Sequence, residues 1–216
     1  MRKLLLLALA LVLSASALHA QVPADVKAVM DKCSAAMSSP DGVEYDMDMK
    51  FSLGFVSLGH SRIIMASKGD MFLTSMSVSL ADDALSVISG FDGSQSWEVK
   101  HTSKYDTIHI YNGKRDLSAD DNKGIDFDVA NEYKKAKMKL VDGCYEILFS
   151  KPIDKKADIK EVEFKIDAKS YQLRQMKTAA KGVKVTMSLN KTKKGLSDNY
   201  FKLNTSQYPN AIILRD

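Results

Sequence analysis

Hydrophobic and polar residues alternate almost without a fault between positions 43 and 53. Val43, Tyr45, Met47, Met49, Phe51 and Leu53 form one set; Glu44, Asp46, Asp48, Lys50 and Ser52 form the other. Successive side chains of a strand point to opposite faces, so the first set is expected in a core and the second in water. The pattern returns at 144–150 (Tyr145, Ile147, Phe149), 160–167 (Val162, Phe164, Ile166) and 183–189 (Val183, Val185, Met187, Leu189). Further strands are predicted over 58–66, 71–79, 85–91, 94–100 and 105–111. Turn signals separate these runs: Lys68-Gly69-Asp70, Asp92-Gly93, Asp142-Gly143, Asp167-Ala168-Lys169 and Lys181-Gly182. Roughly ten strands, spaced about ten residues apart, predict an antiparallel meander with one buried face and one wet face.

Two stretches follow a helical period instead. Val26, Val29, Met30, Cys33 and Met37 recur at three- and four-residue spacing between Pro23 and the Pro40-Asp41-Gly42 stop, which predicts one helix ahead of the strands. The second lies in the irregular region 112–136, where residues 112–124 read as a polar loop. Residues 126–137 then fit a short helix with Phe127, Val129, Ala130 and Tyr133 on its apolar side. A long sheet with one apolar face must curl to bury it. The expected fold is mainly β (α+β): a curved antiparallel sheet forming an unclosed β-barrel, with short helices covering its mouth.

Residues 4–13 are almost all leucine and alanine, preceded by Arg2 and Lys3 and followed by small residues. That is the layout of a secretory signal peptide, with the cut expected after Ala20 and a second possible site at Ala15-Ser16-Ala17. The expected organisation is a signal over 1–20 and a single domain over 21–216. No later segment approaches the ~20 apolar residues of a membrane helix, and no cysteine stands at the cut to take a lipid anchor. An exported, soluble protein is expected.

Composition adds little until it is divided. Of the 216 residues, 45% are hydrophobic and 27% charged. Residues 21–130 carry 10 basic and 17 acidic groups, and 131–216 carry 19 and 10. A basic half suits phospholipid headgroups or an acidic partner, or merely solvates strands and turns. Nucleic acid is disfavoured by export. Cys33 and Cys144 lie in a compartment that permits a disulfide, but Cys33 also falls in the apolar helix stripe, so pairing is left open.

Catalysis is not expected. His60, His101 and His109 are scattered singly, and no nucleophile elbow, zinc-binding HExxH, phosphate loop, dinucleotide fingerprint or CxxC occurs. Asp120, Asp121, Asp126 and Asp128 lack the alternate spacing and sharp-turn glycine of a calcium loop, so neither metal nor cofactor is expected. The apolar face is instead rich in methionine. Met47, Met49, Met65, Met76, Met138, Met176 and Met187 occupy strand-patterned positions, and thioether side chains suit a surface that repacks around varied apolar partners.

Three features together resemble the periplasmic outer-membrane lipoprotein carrier proteins (LolA-like), in a divergent form like that of Bacteroidetes-type bacteria. A signal peptide is followed at once by one helix and the alternating strand 43–53. A central hairpin, Val87-Ile88-Ser89-Gly90-Phe91-Asp92-Gly93-Ser94-Gln95-Ser96-Trp97-Glu98-Val99, is similar to the family's apolar strand, Asp-Gly turn and Trp-bearing strand. The closing segment runs from Leu196-Ser197-Asp198-Asn199-Tyr200-Phe201 to Tyr208-Pro209-Asn210-Ala211-Ile212-Ile213, like the family's "D-x-x-F" corner and final "YP" strand.

The resemblance implies an eleven-stranded unclosed barrel with a helical lid over an apolar cavity. It implies a soluble carrier that shields lipoprotein acyl chains and ferries them towards the outer membrane. Its partners would be acylated lipoproteins or other lipids, an inner-membrane release complex and an outer-membrane acceptor. The expected lining is Met47, Met49, Phe51, Phe72, Met76, Trp97, Phe149, Phe164 and Met187, with Phe127, Val129 and Tyr133 under the lid. The family's lid-latching arginine is matched in position by Lys68, beside Gly69-Asp70-Met71-Phe72, as a possible latch. The alternative reading keeps the fold without lipoprotein transport, as a periplasmic lipid-binding, sensor or interaction module. A monomer is expected in either case.

Overall fold

In the computed structural model, residues 22–79, 84–115 and 128–216 are described. The expected signal segment, Asp120, Asp121, Asp126 and Phe127 lie outside them. Helix α1 spans Ala24–Met37 and buries Val26, Val29, Met30, Cys33 and Met37, the stripe its spacing predicts. Twelve strands follow among the described residues. They are β1 (Val43–Leu53), β2 (Val56–Lys68), β3 (Met71–Ser79), β4 (Ala84–Phe91), β5 (Gln95–His101), β6 (Asp106–Asn112), β7 (Tyr133–Val141), β8 (Cys144–Pro152), β9 (Ile159–Asp167), β10 (Leu173–Ala180), β11 (Val183–Lys194) and β12 (Ile212–Arg215).

All twelve belong to one sheet, in the order β12-β6-β5-β4-β3-β2-β1-β11-β10-β9-β8-β7. Every pairing is antiparallel except β12 with β6. The chain therefore builds the sheet as two meanders joined at β1–β11, with β7 and β12 at the two edges. Register slips between Asp46 and Met47 against β11, and between Phe51 and Ser52 against β2, mark bulges. Bulges increase local twist and curl a sheet that would otherwise lie open.

Helix α1 packs into the concave face. Its apolar stripe joins Tyr45, Met47, Ile147, Phe149, Val162, Phe164, Ile166 and Leu173 in the largest buried cluster. The Tyr45 hydroxyl, pushed up to about 12 in pKa chiefly by burial, donates to the carbonyl of Met37 and ties the helix end to β1.

The second predicted helix is not formed as expected. Asp128–Asn131 make a single 3-10 turn, and from Tyr133 the chain enters β7. The reason is visible in the register: Ala136, Met138 and Leu140 face Phe149, Ile147 and Tyr145, while Lys135, Lys137 and Lys139 take the other side. This alternation competes with the helical spacing of Val129, Ala130 and Tyr133, and pairing with β8 decides it. Lysines on such an edge strand also discourage pairing with another sheet.

The expectation of one uniformly wet face also needs correcting. On β3–β6 the outer face is covered. Trp97, Val99, Ile108 and Ile110 pack there with Leu73, Ile88, Leu203, Tyr208 and Ala211. Ala66, Leu196 and Phe201 form a third cluster beside them. The segment between β11 and β12 therefore wraps the outside of the sheet.

Candidate functional site

The concave face is only partly filled by α1. Along β1, Tyr45 and Met47 are buried, Met49 and Phe51 are half-buried and Leu53 is exposed, so one apolar face runs from core to solvent. Where the helix no longer covers the sheet, a cavity of about 1030 Å³ opens. Its floor crosses six neighbouring strands: Val162 from β9, Met176 and Thr178 from β10, Met187 from β11, Met47 and Met49 from β1, Ile63 and Met65 from β2, and Thr74 and Met76 from β3. Cross-strand pairing sets the thioethers in rows. Met176 faces Met187 and Met187 faces Met49; Met47 faces Ile63 and Ile63 faces Met76.

The remaining wall comes from two short segments. One carries Val129, Asn131, Glu132 and Tyr133; the other, around the β8–β9 connection, carries Pro152, Ile153, Asp154, Ala157, Asp158 and Ile159. They are stitched together by the Tyr133 hydroxyl, which donates to the Ile159 carbonyl at 3.2 Å, and by the Ile153 amide, which donates to the Glu132 carbonyl at 2.8 Å. Burial, with the neighbouring Glu132 charge, raises the Tyr133 phenol above its ordinary pKa and keeps it a neutral donor. The inner surface is mostly apolar, with Glu132, Asp154 and Asp158 as the carboxylates among the lining residues.

Of the nine expected lining residues, Met47, Met49, Met76 and Met187 face this cavity, as do Val129 and Tyr133 of the expected lid. Five do not. Phe149 and Phe164 are fully buried beneath α1, ring against ring edge-on at 5.9 Å. Phe51 lies beyond the cavity on the same face of β1, and Phe72 lies beyond it on β3, against Phe91.

Trp97 is on the opposite side of the sheet. It pairs with Gly90, where an added Cβ would stand 2.7 Å from the indole, and its Nε1 donates to the Phe201 carbonyl at 3.1 Å. Lys68 also reaches the outer corner: its Nζ donates to the Leu196 carbonyl at 3.0 Å and to Asp198 Oδ1 at 2.8 Å. The hydrogen bond from Lys68 holds the Asp198 carboxyl below the usual range. Lys68 and Trp97 thus fasten the closing segment, rather than residues 128–136, to the sheet.

Sequence reasoning missed Ile63, Thr74, Val162, Thr178 and the 152–159 wall. Ile63, Thr74 and Thr178 were legible as strand positions sharing parity with Met65, Met76 and Met176, and Val162 as one sharing parity with Phe164. The wall was not, because its two segments are brought together by the β7–β8 pairing, which the helical reading of 126–137 hid.

Cys33 and Cys144 are free thiols, the first in the core and the second half-buried at the start of β8. Among the described residues, no helix is long and apolar enough to cross a membrane.

Fold and cavity together define an unclosed, mostly antiparallel β-barrel with an apolar interior chamber, as the LolA-like resemblance implies, but with twelve strands among the described residues instead of eleven. Among solved structures, LprF from Mycobacterium bovis matches with a TM-score of 0.50 at 8% identity, over 81% of this chain and 95% of that one. An uncharacterized conserved protein from Thermus thermophilus matches with a TM-score of 0.49 at 7% identity, over 89% and 99%. A LolA superfamily protein from Nitrosomonas europaea matches with a TM-score of 0.38 at 9% identity, over 82% and 97%. At 8% identity the likeness to LprF is one of fold. No protein-family model matches the sequence, and no curated protein does either.

Proposed function

We propose that this protein is an exported periplasmic carrier that holds the acyl chains of lipoproteins in its cavity and ferries them towards the outer membrane. The observation that carries the reading is the methionine-walled chamber on the concave face. Each acyl methylene exposed to water costs about 0.8 kcal/mol, so a long chain cannot cross an aqueous space unshielded. A wall of flexible thioethers repacks around chains of different length and position, where a rigid aromatic wall would select one shape. The open end of the chamber gives the chains a way in without unfolding the sheet.

The lining places no cluster of nucleophile and base against the apolar floor, which suits holding a ligand rather than transforming it. Glu132, Asp154 and Asp158 stand where the polar head of a bound lipid would emerge. The wall formed by 128–133 and 152–159 is the part that would move to release cargo, because only a few hydrogen bonds join its two halves.

The test is to purify the protein from its native envelope without detergent, extract it with solvent and analyse the extract by mass spectrometry. Acylated peptides in stoichiometric amount are the expected result. Free phospholipid in their place would make it a lipid shuttle of another kind, and an empty chamber would overturn the reading.

A further inference from the structure

The β1–β2 hairpin projects beyond the cavity and carries the most exposed apolar group among the described residues. Phe55 is fully solvent-exposed, and Leu53, Val56 and Leu58 are 50%, 63% and 52% exposed. Gly54, at φ 58°, makes the corner, and nothing stands within 4 Å of where its Cβ would be. Four apolar side chains within six residues, on a two-residue turn with no covering element, form a wedge rather than a scattered surface feature.

Two further observations say what the wedge meets. No acidic residue occurs between Asp48 and Asp70, whereas Lys50 and Lys184 flank the base of the hairpin. Lys184 pairs with Ser52 across β1–β11, and Lys50 pairs with His60 across β1–β2, so both lie on strand positions just behind the tip. The tip is also continuous with the chamber, because Met47, Met49, Phe51 and Leu53 follow one another on a single face of β1.

We infer that this hairpin docks the protein on a phospholipid bilayer bearing anionic headgroups. Phe55 and its apolar neighbours enter the acyl boundary while the lysines meet phosphate at the collar. An apolar point with a cationic collar matches the layered chemistry of a bilayer surface. The continuous face behind it gives an acyl chain leaving that bilayer a dry path from Phe55 past Leu53 and Phe51 to Met49. This entry route rests on the carrier reading for its purpose; the membrane binding itself does not.

The experiment is co-flotation of the full chain with vesicles of phosphatidylglycerol and phosphatidylethanolamine, compared with vesicles of phosphatidylcholine alone. The wild type should float with the anionic vesicles. F55D/V56D should bind at least about tenfold more weakly, the loss expected for removing buried apolar groups. K50E/K184E should lose about tenfold on anionic vesicles and little on phosphatidylcholine. A Phe55→Trp variant adds a direct readout: its emission should shift to the blue when anionic vesicles are added.

A wild type that floats with neither vesicle, or an aspartate variant that floats as well as the wild type, would overturn the inference. So would a Phe55-dependent dimer in vesicle-free solution, which would assign the tip to a second copy of the chain. Binding of a water-soluble acylated peptide, measured without vesicles, separates the two readings. F55D/V56D should keep it, and its absence in the wild type would count against the carrier and not against the docking tip.

Discussion

Met187 and Phe164 share an apolar face of the same sheet, yet the structure predicts opposite consequences for placing a carboxylate at each. Met187 is a half-buried cavity residue between Met176 and Met49, and water reaches it through the open end of the chamber. In Met187→Glu the new carboxylate stays hydrated in the empty protein, so stability should change by less than about 1 kcal/mol. A bound acyl chain would lose contact with about four methylene-equivalents at ~0.8 kcal/mol each, which makes ~3 kcal/mol or roughly a hundredfold in affinity.

Phe164 has no exposed surface and packs on Phe149 beneath α1. Removing such a ring costs about 3–5 kcal/mol, and burying an unpaired carboxyl adds ~2–7 kcal/mol. The sum rivals the ~5–15 kcal/mol that holds a domain folded. Phe164→Asp should therefore fail to fold rather than fold and fail to bind.

The assay pairs urea unfolding, followed by the emission of Trp97 as the single tryptophan, with displacement of a fluorescent fatty acid by an acylated peptide. A folded Met187→Glu protein with wild-type affinity would refute the cavity assignment. A stably folded Phe164→Asp protein that lacks only ligand binding would show that the lining face continues under the helix.

Three other outcomes follow from the geometry. Gly90→Ala should destabilise the fold by about 1–3 kcal/mol through overpacking, because its Cβ would meet the Trp97 indole at 2.7 Å; a red-shifted Trp97 emission would accompany it. Burial pushes the Cys33 thiol up to about 12, so at pH 8 a thiol reagent should label Cys144 in the native protein and Cys33 only on unfolding. The Asp167 carboxyl is held far below its ordinary range by the Ser170 amide, the Arg174 guanidinium, the Ser170 hydroxyl and the Lys169 amide. Its stabilising contribution is present above the unfolded-state value near ~3.9 and is lost as pH falls below it towards the folded-state value. Thermal melts of Asp167→Asn should therefore fall less steeply with acid than those of the wild type.

Most of the meander could be read from alternation, because a strand with one buried face writes its burial directly into the sequence. β1 and β3 have the ends their patterns predict, and β12 is the final strand implied by Tyr208-Pro209. β7 is not legible in this way, because its lysines and the spacing of Val129, Ala130 and Tyr133 fit a helix equally well. Only pairing with β8 separates the two.

The site was half legible. Parity along β1 and β11 placed Met47, Met49 and Met187 on the cavity floor, but parity cannot say where α1 stops covering that floor. Phe149 and Phe164 therefore became core. Trp97 failed for another reason: on β5 and β6 the apolar set (Trp97, Val99, Ile108 and Ile110) turns to the outer face under the closing segment, while Glu98, Lys100 and His109 take the other face, so being apolar does not by itself say which side of the sheet a residue takes. Its partner Gly90 held the clue, since a glycine opposite a tryptophan leaves room for the indole to lie across the strand.

The central claim is that acyl chains occupy the concave side of this sheet, and site-specific photo-crosslinking in the living cell tests it most directly. A photoreactive residue at Met176 or Met187 faces the chamber; one at Lys177 or Thr186, a single position along the same strands, faces away from it. Adducts bearing lipoprotein acyl chains are expected from Met176 and Met187 and none from Lys177 and Thr186. Acyl adducts from the outward pair, or none from the inward pair, would contradict the claim.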